Sequence, residues 1–217
     1  MRKIDKTILL STQYQNWLER LNQDKVKHPA QSDKYYDDVV MNLLHCQKGV
    51  CAYTEMIVCN PALVNEDKWE NGRYKPEKIE RFGSLEHFDP RLKKDKYWEW
   101  DNLFVVSLDI NVKKGDKEVD EILKPDSPAY DPFKLLEYNE QTHLFVPHRD
   151  IEDNSLRERI KKMIKVLRIN HDTVCYKRKT FFYQINWQGK ADRTIRIDRF
   201  FTAYQMVMDA KQKNNAI

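Results

Sequence analysis

The strongest constraint on the fold lies between residues 83 and 115. Gly83-Ser84-Leu85-Glu86-His87 reads as a short extended segment, stopped by Pro90. Phe104-Val105-Val106-Ser107-Leu108 is a strong strand candidate. Asp109 then caps a short helix that carries Asn111 and breaks near Gly115. His87 ends the first strand, Asn102 precedes the second, and Asn111 opens the helix. From His87 to Asn102 is 15 positions, and from Asn102 to Asn111 is 9. A loop and one strand fit the first interval, and a strand plus a turn fit the second. The stretch therefore folds as strand, strand, helix, with polar residues at the junctions.

The flanks read as helix. Tyr14, Trp17, Leu18 and Leu21 share one face of residues 11–22. Over 33–47, Asp33 is an N-cap candidate, Tyr36, Val39, Val40, Leu43 and Leu44 form an apolar stripe, and Gly49 ends the helix. Val50–Val58 reads as a buried strand or hairpin arm. The polar stretch 60–80, with Pro61 and Pro76, reads as a long loop. Prolines 125, 128, 132 and 147 mark a segment that wraps the core. Leu156, Ile160, Met163, Ile164 and Leu167 predict a helix over 155–170. Two more helices are expected over 172–186 and 196–213. The expectation is one α+β domain over 1–217, with a core at about 50–116 inside helical parts at about 10–48 and 150–213.

Charge says less. The net charge of +4 is mild, and the basic residues gather locally at 91–96 and 157–168. No run approaches the roughly 18 apolar residues that span a membrane. The apolar stretch Thr7-Ile8-Leu9-Leu10 is too short for a signal peptide, so a cytoplasmic protein without a membrane partner is expected. The four cysteines form no C-x-x-C pair, which argues against disulfides and for buried small hydrophobes.

Hydrolysis of a phosphodiester needs a base for water, a counter-charge for the phosphate and a stabiliser for the leaving oxygen. A histidine titrating near neutrality and one hard divalent cation with oxygen ligands supply all three. His87, Asn102 and Asn111, in this order and spacing, resemble the core of the HNH endonucleases, a ββα-metal fold. The resemblance implies that His87 activates water, that Asn102 orients the His87 ring, and that Glu86 and Asn111 hold Mg²⁺ or Mn²⁺. Glu86 and His87 leave opposite faces of a regular strand, so a shared site calls for a bend near Asp89-Pro90. Lys113 and Lys114, with Arg91, Lys93 and Lys94, are the expected nucleic-acid contacts.

Cys51-Ala52-Tyr53-Thr54-Glu55, Glu86-His87-Phe88-Asp89-Pro90 and Trp100-Asp101-Asn102-Leu103 are similar to the HNH subunit of Septu-type antiphage systems, relatives of which accompany some retrons. That resemblance implies an ABC-type ATPase partner of the SMC kind and cleavage of DNA. Many members carry two C-x-x-C pairs for a structural zinc. Here those places read Cys51…Thr54 and Ser107…Ile110, so no structural zinc is expected. Glu55 either approaches the site or forms a structural salt bridge. Two other readings stay open: a non-catalytic subunit binding nucleic acid or the ATPase through a relic site, and a nuclease directed at RNA such as tRNA.

Overall fold

The computed structural model describes residues 1–76, 82–190 and 197–215. The fold is α+β, with helices and, among the described residues, three two-stranded antiparallel sheets. Two compact units form. One comprises Ile4–Ala52 and Ile57–Val119, and the other Met1–Lys3, Tyr53–Met56 and Asp120–Ile217.

The first unit holds α1 (Thr12–Gln23), α2 (Asp33–Gln47), β1 (Trp69–Glu70), β2 (Arg73–Tyr74), β3 (Gly83–His87), β4 (Leu103–Ser107) and α3 (Leu108–Lys114). Its centre is α2, whose Val39, Val40, Met41, Leu43 and Leu44 are fully buried. The expected stripe is off by one residue at its start, because Tyr35 is buried and Tyr36 only half-buried. Asp33 is the first helical residue rather than the cap. Lys48 takes the left-handed conformation that closes α2, ahead of Gly49.

Polar side chains of α2 do two structural jobs. The Asn42 carboxamide oxygen accepts from the Leu10 and Ser11 amides and the Ser11 hydroxyl, and so caps α1 from outside. Gln47 donates to the Val105 carbonyl at 2.8 Å and accepts from the Val105 amide at 2.9 Å. Val105 thus has both backbone groups satisfied on the side of β4 away from β3, where the Ala52 amide also donates to its carbonyl. An otherwise open edge strand is closed by one glutamine and one loop.

Two expectations fail here. Val50–Val58 is buried except at Ile57 but is no strand: Val50 and Ile57 make a single bridge, and Glu55 between them sits at φ +59°. The stretch 60–80, read as loop, contains the β1–β2 hairpin, turned by Asn71 and Gly72 at φ +49° and +74°. Its last part, 77–80, lies outside the described residues.

The second unit holds α4 (Pro132–Leu135), β5 (Leu136–Asn139), β6 (Leu144–Pro147), α5 (Asn154–Val166), α6 (Asp172–Lys190) and α7 (Phe201–Asn215). Asp153 caps α5 by accepting from the Ser155 amide. The expected wrapping segment contains a hairpin, β5–β6. Its turn is held by the Asn139 carboxamide, which accepts from the Gln141 and Thr142 amides. The last helix begins later than expected, at Phe201; residue 196, where the expectation started, lies outside the described residues. Among the described residues, no helix is long and apolar enough to cross a membrane.

Candidate functional site

β3 and β4 pair without interruption from Gly83↔Ser107 to His87↔Leu103, and α3 follows β4 directly. The strand register stays regular through His87, so the bend expected near Asp89-Pro90 comes only after it. Glu86 and His87 therefore leave β3 on opposite faces.

The turn after β3 is held by Asn102. Its carboxamide oxygen accepts from the Asp89 amide at 2.8 Å, and its Nδ2 donates to the Asp89 carbonyl at 3.0 Å. Its own carbonyl accepts from the Phe88 amide. This corrects the role expected of Asn102: it brackets the backbone beyond His87, and the imidazole is oriented by another residue.

That residue is Tyr97. His87 Nε2 donates to the Tyr97 carbonyl at 2.7 Å, and the two rings meet edge-on with centroids 4.6 Å apart. The bond places the ring proton on Nε2 and leaves Nδ1 as the basic atom. Burial holds the His87 pKa below its ordinary value, with the Lys93 and Lys114 charges pushing the same way against the Tyr97 bond. The imidazole is neutral near pH 7, the form a base requires.

α3 docks on β3 through two residues one turn apart. Asn111 Nδ2 donates to Ser84 Oγ at 2.9 Å and to the Leu85 carbonyl at 3.0 Å. Lys114, fully buried, donates to the His87 carbonyl at 3.1 Å and lies 2.5 Å from a Glu86 carboxylate oxygen. Lys114 is thus a correction. Expected to meet phosphate at the surface, it is enclosed and engaged, while Lys113 beside it is exposed. The spacing carried the signal: Lys114 shares a face with Asn111, three residues earlier.

Glu86 is the unusual group. Burial pushes its pKa up to about 7, and Lys114 only partly offsets this. The ammonium approaches one oxygen closely without the alignment of a good hydrogen bond. Glu86 and His87 both feel the charges of Lys93 and Lys114, so they share one electrostatic neighbourhood despite leaving opposite faces.

Beside Tyr97 opens a cavity of about 630 Å³ lined in part by Arg91, Lys93 and Lys94. Lys27 and His28, absent from the expected contacts, line it too. The basic run Lys25-Val26-Lys27-His28 was the available signal. His28 is held neutral by burial, its Nδ1 accepting from the Trp98 amide at 3.1 Å. Arg91 is committed to Asp89, at 2.7 Å.

Among the described residues, no three His, Cys, Asp or Glu side chains gather as a metal-ligand set. The oxygen donors on the α3–β3 seam include the Glu86 carboxylate, the Ser84 hydroxyl and the Asn111 carboxamide oxygen, whose amide nitrogen is already engaged with β3. One carboxylate, neutral oxygens and coordinated waters make a donor set that suits Mg²⁺ or Mn²⁺. Glu55, the other acidic candidate, pairs with the Met1 amino group at 3.3 Å and caps α7 through Thr202, the structural alternative left open by the sequence. No protein-family model, curated protein or solved structure matches this chain.

Proposed function

We propose that the chain is a metal-dependent endonuclease of the HNH type that hydrolyses phosphodiester bonds of DNA. The observation that carries this reading is the fixed tautomer of His87, a buried neutral imidazole whose Nε2–H is held by the Tyr97 carbonyl. Nδ1 takes a proton from the attacking water. Tyr97 keeps the ring from rotating and stabilises the imidazolium that forms. Asn102 holds the turn that carries Asp89, and Lys114 fixes the end of β3 through the His87 carbonyl. Glu86 and Asn111 would hold a divalent cation, which when bound supplies charge for the phosphate and the leaving oxygen. Lys93 and Lys94 draw the polyanion to the site.

The sequence resemblance extends the proposal to an effector role in antiphage defence with an ABC-type ATPase partner. The test is cleavage of supercoiled plasmid with Mg²⁺ or Mn²⁺, comparing the wild type with His87→Ala, with and without that ATPase. Metal-dependent nicking lost in His87→Ala supports the reading; cleavage unchanged in the variant overturns it.

One observation favours a second reading, a subunit that binds nucleic acid without cutting it. The Lys114 ammonium already lies 2.5 Å from a Glu86 carboxylate oxygen, a cation standing where a metal would. A wild type that binds DNA but cleaves neither DNA nor RNA with any divalent metal would establish that reading.

A further inference from the structure

The cavity beside Tyr97 is larger than the proposed hydrolysis needs. At about 630 Å³ it falls within the roughly 300–1,000 Å³ of small-ligand sites. Its lining is mixed in a particular way. Tyr97 contributes an aromatic residue, Ala30 and Pro90 contribute apolar wall, and Lys27, Lys93 and Lys94 contribute cations. Asp116 adds a single acceptor. An aromatic surface for a base, cations for a phosphate and an acceptor for a base edge are the chemistry that recognises one nucleotide.

The position matters as much as the lining. Tyr97 lines the cavity while its carbonyl holds His87 and its ring lies against the His87 ring. Lys93 lines the cavity while its charge reaches both Glu86 and His87. A ligand in the cavity therefore meets Tyr97, the residue that holds His87, and Lys93, whose charge acts on Glu86 and His87.

We infer that this cavity takes one unpaired nucleotide of the strand being cut, so that the substrate of the site is single-stranded or locally melted nucleic acid rather than continuous duplex. In a duplex each base is stacked and paired. Its phosphates can run across Lys93 and Lys94, but the base cannot reach Tyr97 unless it is flipped out. The inference rests on the nuclease reading of His87 and names the form of its substrate.

The experiment is fluorescence anisotropy without divalent metal. A labelled single strand of about 20 nucleotides, longer than one binding site, is compared with the same strand in blunt duplex. Wild type should bind the single strand about tenfold more tightly. Ala30→Trp, a change at an exposed position that fills the cavity, should remove that preference and leave duplex binding unchanged. Lys94→Ala should weaken both and flatten the dependence on salt. A circular-dichroism melt of each variant confirms folding. Equal affinity for both probes, a preference that survives Ala30→Trp, or no binding of either probe would overturn the inference. The plasmid assay separates this from the parent reading. Cleavage lost in His87→Ala with no single-strand preference keeps the nuclease and drops the cavity; a preference removed by Ala30→Trp with no cleavage keeps the cavity and drops the nuclease.

Discussion

Two glutamates are buried to a similar degree, and their surroundings treat them in opposite ways. Burial alone would raise the pKa of Glu55, but the Met1 amino group and two donors of Thr202 outweigh it, and the net shift is downward. Burial raises Glu86 to about 7, and its one cationic partner, Lys114, does not reverse the shift. The difference is the number and alignment of donors rather than the depth of burial. Glu55 is a finished structural contact: a carboxylate at the start of α7, with each oxygen satisfied. Glu86 is incompletely satisfied on the face of β3 that α3 covers, and the charge of Lys93, which lines the basic cavity, reaches it. An under-satisfied buried acid is where a further cation gains most.

The comparison breaks most sharply on activity. If the Glu86 neighbourhood is the reacting one, His87→Ala should lower the rate of plasmid cleavage by about 10²–10⁴-fold, the worth of a general base. The variant also loses the donor to the Tyr97 carbonyl and the buried ring, so stability should fall by about 1–3 kcal/mol and rates are compared per folded molecule. Glu55→Gln should cost stability alone. It leaves the Met1 amino group buried without its counter-charge and should cost about 3 kcal/mol in denaturant unfolding, while the rate per folded molecule stays the same. A Glu55→Gln protein that folds normally and cuts slowly would invert the assignment of the two carboxylates.

The two acids should also bend stability against pH in opposite senses. The Glu55 carboxyl titrates below its ordinary value of 4.5, so its contribution is present above that pH and lost as pH falls through the folded value. Glu86 keeps its proton in the folded state up to about pH 7 but releases it near 4.5 when unfolded. Between those values the folded state binds more protons, so stability declines as pH rises from about 4.5 to about 7. Glu86→Gln should remove that decline, read as unfolding midpoints across the window. A decline that persists in Glu86→Gln would mean that Lys114 satisfies the wild-type carboxylate after all.

The contrast also explains what the sequence could and could not tell. The strand–strand–helix order around His87, Asn102 and Asn111 was legible because period and turn residues are local signals. So were helices α1, α2, α5 and α6. The β1–β2 hairpin leaves its mark in Asn71-Gly72, but strands only two residues long carry no periodicity to flank that turn. The fate of Lys114 was legible only through its spacing from Asn111, because lysine at a helix end is ordinarily solvated and it is the packing against Glu86 that encloses this one. That of Tyr97 was not legible, since it orients His87 through a backbone carbonyl, a group every residue carries. Roles played by the main chain leave no mark on residue type.

Asn102 gives the smallest and most discriminating prediction, because sequence and structure assign it different partners. If it oriented the His87 ring, Asn102→Ala would change the pH at which cleavage switches on. In the structure it makes two hydrogen bonds to the Asp89 backbone, each with a net worth of about 1 kcal/mol. Asn102→Ala should therefore lower stability by about 2 kcal/mol, with a modest loss of rate as the turn after β3 loosens. The midpoint of the pH–rate profile should stay in place, because the bond that sets it, from His87 to the Tyr97 carbonyl, is untouched. A shifted midpoint at unchanged stability would return Asn102 to the imidazole and make Tyr97 a bystander.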